Sequence, residues 1–229
     1  MSAFHKIIAN VRTALEHRPR PTVAHDGAAH EIVPVAPGAR RAELASEFAR
    51  ELERVGGRFM GVLSIDEARD QIVAIARELE AKSVAIGEGV ALDCESIAKA
   101  LERAGITVMR TARTSDSERP ALRDSIANCD LGIIEAHYGI ASTGTLAVVA
   151  APGRPSSLTL LPPANFIVVD ADRILPDLAA VISTLGTETI VNHRLALITG
   201  PSRTADIEKM IVLGVHGPKK IFAAAVWRK

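Results

Sequence analysis

Glu135 and His137 stand two residues apart, closing the apolar run LGIIEA and opening the stretch HYGIASTGTLAVVA. On an extended chain side chains alternate with period two, so a carboxylate and an imidazole at this spacing share a face. Such a pair can work as acid and base, and the apolar run beneath supplies the dry surroundings that a general base or a carboxylate nucleophile requires. The same two residues also read as solvated strand-end groups bonded to neighbouring backbone. Immediately downstream, Ser142, Thr143, Gly144 and Thr145 bring hydroxyls and unhindered backbone N–H groups. These are the materials of an anion-binding nest and equally of an ordinary turn. No lysine follows in the P-loop pattern, which excludes an NTPase motif.

A second stretch, GPSRTADIE over residues 200–208, leaves the apolar run LALIT. Its spacing predicts entry into a helix over about residues 203–213. A helix N-terminus there, with Gly200, Ser202, Arg203 and Thr204, would favour an anion. Asp206 and Glu208 fall in the expected first turn and can satisfy the helix dipole themselves, so ligand binding and internal capping both stand. His216, between two glycines in GVHGP, suits a sharp reversal or a ligand contact. A third stretch, GEGVAL over residues 87–92, supplies only Gly-x-Gly and places Leu92 where a dinucleotide fingerprint needs a small residue. It reads as a tight turn at a strand end, with Glu88 able to look into a cleft at the carboxyl edge of a sheet.

The elements that must position these residues alternate along the chain. Leu44, Phe48, Leu52 and Val55 form a helical stripe that stops at Gly56-Gly57. Ser64-Ile65-Asp66-Glu67 matches a capping box, and Ala68, Ile72, Ile75 and Leu79 line the helix it begins. RFMGVL, SVAIG, ITVMR, LGIIEA, TLAVVA, NFIVVD, LALITG and IFAAAVW read as strands. Helices are expected at ESIAKALERAG, PALRDSIANC and residues 176–185. The fold class is α/β, a mixed and largely parallel sheet with helices on both faces. Glu135, the Gly/Thr segment and residues 200–208 are expected around one cleft.

Phe4, Ile7, Ile8, Val11 and Leu15 recur at helical spacing, and residues 18–38 carry four prolines. Residues 1–38 thus read as an N-terminal helix and an irregular connection, and residues 39–229 as the α/β domain. Lys+Arg and Asp+Glu each number 27, with no basic cluster interleaved with aromatics, so nucleic acid is not an expected partner. The two cysteines, Cys94 and Cys129, form no Cys-x-x-Cys and supply neither a zinc site nor an iron–sulfur ligand set. No run approaches the ~20 apolar residues of a membrane span, and the N-terminus lacks a signal-peptide pattern, so the expected compartment is the cytoplasm.

EAHYGIASTGTLAV, Arg154 with LLPPANFIVV, GPSRTADIE and GVHGP occur in the order and approximate spacing of the lactate utilization protein C family, whose shared unit is the LUD domain. The resemblance runs from about residue 40 to the C-terminus, and the N-terminal helix fits it. It implies a fold like that of the CoA transferases, ribose-5-phosphate isomerase and 5-formyltetrahydrofolate cyclo-ligase. It also implies a component of a system oxidising L-lactate to pyruvate, a non-redox or accessory subunit whose partners are iron–sulfur oxidoreductase subunits. The alternative is a stand-alone enzyme acting on a small anionic substrate, phosphorylated, CoA-linked or folate, with Glu135 as base or nucleophile. One departure is Asn165, which follows Leu161-Pro162-Pro163 where the family pattern leads one to expect His, and which bears on ligand choice.

Overall fold

The computed structural model describes residues 37–89, 92–111, 118–151, 153–192, 194–205, 211–213 and 217–227. The expected N-terminal helix lies outside them. The first described helix, α1 (Pro37–Arg54), opens on proline, whose missing N–H is no loss in a first turn. Phe48 and Leu52 are fully buried, and Phe48 meets Phe59 edge to face at 5.7 Å. Then come β1 (Arg58–Leu63), α2 (Ile65–Glu78), β2 (Ser83–Ile86), α3 (Cys94–Arg103), β3 (Thr107–Arg110), α4 (Arg119–Ala127) and β4 (Leu131–Ala136). The capping box forms as the spacing predicts: Glu67 N–H donates to the Ser64 hydroxyl at 3.2 Å, and Ser64 N–H donates to the Glu67 carboxylate at 2.8 Å.

Six strands form one sheet in the order β1-β12-β7-β4-β2-β3, where β7 is Ala164–Asp170 and β12 is Lys220–Val226, and every pairing in it is parallel. A parallel sheet is covered on both faces, which is why β4 and β7 are buried at every position. Alternate residues sort to opposite sides. Val84, Ile133, Phe166 and Phe222 face Ile72 and Ile75 of α2 and Ile97 and Leu101 of α3. Ala85, Ile134, Ile167 and Ala223 face α1, Ile126 of α4, and a second sheet. That second sheet, β8-β5-β6-β9, consists of β8 (Ile174–Leu175), β5 (Tyr138–Ile140), β6 (Thr145–Val149) and β9 (Leu195–Ile198). The antiparallel pairs of the α/β domain's core lie here, in β5–β6 and β6–β9. Its far side, at Ile140 and Ala147, packs on Val181 of α5 (Leu178–Asn192).

Two expectations are corrected. The helix expected over residues 203–213 is instead a pair of antiparallel strands, β10 (Arg203–Ala205) and β11 (Ile211–Leu213), in register Arg203 with Leu213. Thr204, Ile211 and Val212 are β-branched and favour the pleated backbone over a helix. The helix expected over residues 176–185 starts later and continues to Asn192. Asp177 stays outside it as a cap, accepting the Ala180 N–H at 2.8 Å. The spacing also gives no sign of β5 or β8, because three residues and two residues are too few for an alternation to show.

The direction of the crossovers decides where a site can form. From β2 the chain moves outward to β3, and from β4 it moves the opposite way to β7. These two strands are neighbours, so the connections diverge between them and leave a crevice beyond their carboxyl ends.

Gly144 is the tightest point of the second sheet. It adopts φ +61°, and a Cβ there would overlap the backbone nitrogen of Leu52 in α1. We expect Gly144→Ala to cost about 3 kcal/mol or more in urea unfolding, since backbone cannot step aside. Gly105, also left-handed at φ +78° but with nothing within 4 Å of its missing Cβ, should cost only about 1 kcal/mol on the same substitution.

Candidate functional site

Gly87, Glu88 and Gly89 follow β2 directly, and Glu135 lies one residue before the end of β4. Both therefore reach the crevice at the switch point. Glu135 is 5% exposed, and it lies on the α2–α3 side because its neighbours Ile134 and Ala136 face the opposite way. Gly89 has no side chain for a reason: a Cβ there would run into the Glu135 carboxylate and come within 3.0 Å of its Cβ. Gly153 plays the same part toward Glu88, whose carboxylate occupies the space a Cβ would take, at φ +79°.

Arg154 enters this crevice from beyond β6. Its Nε donates to Val149 O at 3.2 Å, its Nη1 reaches Glu88 O at 3.5 Å, and its Nη2 lies 2.8 Å from Nε2 of His137. Burial lowers the pKa of the guanidinium, while the charges of Glu135 and Glu88 oppose that effect. The loop carrying Arg154 is fastened by backbone. Glu88 N–H donates to Gly153 O at 3.0 Å, and the buried Thr111 hydroxyl donates to the same oxygen. Cys94, the first residue of α3, completes the surroundings with its thiol 3.5 Å from Gly87 O. Burial pushes the Cys94 thiol up, against the Gly89 N–H and the Arg110 charge, which disfavours the thiolate.

The residues singled out from the sequence fall into two groups. Glu135 and His137 sit at the crevice with Glu88, Gly89 and Arg154. Ser142, Thr143, Gly144 and Thr145 lie at the opposite end of the β5–β6 hairpin, since Thr145 pairs with Ile140 while His137 N–H donates to Ala147 O at 2.8 Å. There the hydroxyls serve one another: Thr143 and Thr145 are 2.7 Å apart, and Thr145 and Thr199 are 2.7 Å apart. Gly200 packs on Val55, and Arg203 Nη2 donates to Val55 O at 2.7 Å, capping the carbonyl end of α1. The single expected cleft is thus two clusters at the two ends of a hairpin. Ser202 N–H donates to Pro218 O at 2.8 Å, Thr204 belongs to β10, and Asp206 and His216 lie outside the described residues. Asn165 is fully buried on β7 beside Gly132, away from the crevice; its Nδ2 donates to Thr159 O at 2.9 Å, while its Oδ1 has no hydrogen-bond partner among the described residues.

Sequence reasoning weighed Glu88 and read Gly87 and Gly89 as a tight turn, but passed over Thr111 and the role of Arg154. The available signal was Gly153-Arg154 shortly after the apolar strand that ends at Val149. A separate groove of about 510 Å³ between α2 and α3, lined in part by Arg69, Arg77 and Arg103, contains none of these residues. Among the described residues no group of three or more His, Cys, Asp or Glu is placed to hold a metal ion.

The fold defines a doubly wound α/β domain, and its strand order puts the candidate site outside the carboxyl ends of neighbouring strands. The chain belongs to the LUD domain family, whose model matches residues 45–224. It is 29% identical over 158 residues to the uncharacterized protein YkgG of Escherichia coli (strain K12), covering 67% of this chain and 62% of that one. To lactate utilization protein C of Halalkalibacterium halodurans it is 27% identical over 158 residues, 67% of this chain and 66% of the relative. To lactate utilization protein C of an Exiguobacterium species it is 32% identical over 111 residues, 46% and 48% of the two chains. The matched stretch thus spans roughly half to two thirds of these relatives' length. Among solved structures, a DUF162 family protein from Deinococcus radiodurans superposes with a TM-score of 0.58 at 20% identity, over 84% of this chain and 99% of that one, and shares the fold.

Because Gly89 has an ordinary backbone conformation, alanine there tests the Glu135 contact and little else. Gly89→Ala should cost about 2 kcal/mol in wild-type background and much less beside Glu135→Ala, a coupling read from a double-mutant cycle in urea.

Proposed function

We propose that this chain is a cytoplasmic, non-redox component of an L-lactate utilization system, one that oxidises L-lactate to pyruvate with iron–sulfur proteins as partners. The observation that carries the reading is the family match over residues 45–224, which takes in the whole crevice cluster, together with relatives named lactate utilization protein C. The placement of the cysteines supports the non-redox role. Cys94 packs in the core on one face of the large sheet and Cys129 in the core on the other, so the pair cannot act as one ligand set for a cluster. No helix among the described residues is long and apolar enough to cross a membrane. In this role the crevice supplies a small-anion site to the assembly, with Glu135, His137 and Arg154 at its centre.

One observation favours a second reading, that of an enzyme in its own right. Glu135 is held almost out of water, and its charge acts on the Arg154 guanidinium. A buried carboxylate next to a cation is a setting in which a base or a carboxylate nucleophile can work.

Deletion of the gene in a strain with no other lactate oxidase should abolish growth on L-lactate, and the tagged chain should bring down iron–sulfur proteins. Normal growth of that strain would refute the lactate role. Glu135→Gln should lower lactate-dependent growth by at least about tenfold if Glu135 is catalytic. Undiminished growth and ligand affinity would remove the enzyme reading and leave the accessory one.

A further inference from the structure

We propose that the groove between α2 and α3 seats a second copy of this chain, docked about a two-fold axis with the two α2 helices antiparallel. The proposal goes beyond the lactate reading and does not depend on it.

The groove, of about 510 Å³, lies between the two helices that cover one face of the large sheet. Both helices are crossovers of a parallel sheet, so they run in the same direction, amino end beside amino end and carboxyl end beside carboxyl end. Charge is divided between those ends. In the last turns stand Arg77 of α2 and Arg103 of α3, both exposed and without an ion pair among the described residues. Glu78, the acid next to Arg77 in the chain, is committed to Arg58 at 2.9 Å. At the amino end Asp66 and Asp70 share one cation, Arg69, at 2.7 and 3.0 Å, and their side chains stay 81% and 72% exposed. One end of the groove is therefore positive and the other keeps a net negative charge. Between them the floor consists of Val73, Ala74 and Ala100, small enough for another helix to come close.

Such a surface complements itself when turned end for end. Asp70 and Arg77 are equally far along α2 from the point midway between Val73 and Ala74. With a two-fold axis through that point, each Asp70 is level with the partner's Arg77 and each Val73 with the partner's Ala74. The antiparallel arrangement also sets the helix dipoles head to tail, which favours it over a parallel one. A small anion fits the groove less well. Its walls are helical, with N–H groups spent on carbonyls of the same helix, and the Ser96 N–H goes to the Asp93 carboxylate at 3.0 Å. One helix pair from each copy is a small interface, so a dissociation constant on the order of 10 μM is expected.

The test measures the mass of the full chain by sedimentation equilibrium. The average mass should rise with concentration to that of two chains and stop there, since a two-fold contact closes on itself. The dissociation constant should rise at least about tenfold between about 0.05 M and 1 M salt. Arg77→Glu with Arg103→Glu should weaken the dimer at least about tenfold, and so should Asp66→Lys with Asp70→Lys, because the axis makes each substitution act twice. Mixed in equal amounts, the two charge-reversed chains should pair with each other about as tightly as the unaltered chain pairs with itself, a regain that also shows both to be folded. Ala74→Cys, beside the axis and independent of charge, should give a disulfide-linked dimer under mild oxidation, whereas the unaltered chain, whose two cysteines are buried, should not. A monomer at every concentration up to about 1 mM would overturn the proposal. So would a dimer that both charge reversals leave intact, or an Ala74→Cys chain that links no faster than the unaltered one.

Discussion

The backbone oxygen of Gly153 holds the candidate site together. It accepts the N–H of Glu88, from the turn after β2, and the hydroxyl of Thr111, from the residue after β3. Beyond the last ladder bonds of a parallel sheet the strands no longer have one another as partners, and here the crossovers diverge as well. One carbonyl supplies the missing closure. It fixes the next residue, Arg154, over the gap between β2 and β4, and the positions of Glu88 and His137 follow from where that guanidinium lies. Glycines at 87, 89 and 153 are the condition for this closeness, because each lends its absent side chain's space to a neighbour.

The domain separates its labour between the two ends of one hairpin. At the carboxyl edge, charged groups are brought together at the cost of burying Glu135 and half-burying Arg154. At the other end the threonine hydroxyls and Arg203 consume their own hydrogen-bonding capacity, on each other and on the end of α1. A cluster rich in glycine and threonine therefore serves as structural mortar, and the less conspicuous Gly153-Arg154 step delivers the cation. A like division occurs at the amino ends of β2 and β4. Burial alone would raise the Asp130 carboxyl, but the N–H groups of Lys82 and Ser83 hold it lower, so the group that ties the two strands remains ionised.

Much of this architecture was legible in the sequence. The apolar runs of β4, β7 and β12 are continuous because both faces of the large sheet are covered, and that continuity reads directly as buried parallel strand. Ser64 and Glu67 announce the start of α2 by local chemistry alone. What was not legible depended on distant partners. Whether Thr143 and Thr145 face a ligand or Thr199 is decided by the pairing of β6 with β9, residues remote along the chain. Residues 203–205 and 211–213 carry no periodicity long enough to choose between helix and strand, and the Arg203–Val55 bond that anchors the first of them spans much of the domain. Glu135 and His137 were found because their spacing is local; Arg154 was given no role because its partners belong to two other segments.

The position of β12 in the sheet has a consequence for how the molecule is made. It lies between β1 and β7, so the earliest described strand of the sheet is joined to the rest only through the last described one, remote from it along the chain. Until β12 is in place β1 and its helix have no ladder to join, and β7 presents an unpaired edge of buried-type residues. A fold of this topology closes its large sheet by a pairing remote along the chain, and until that pairing forms the open edge is free to meet another chain.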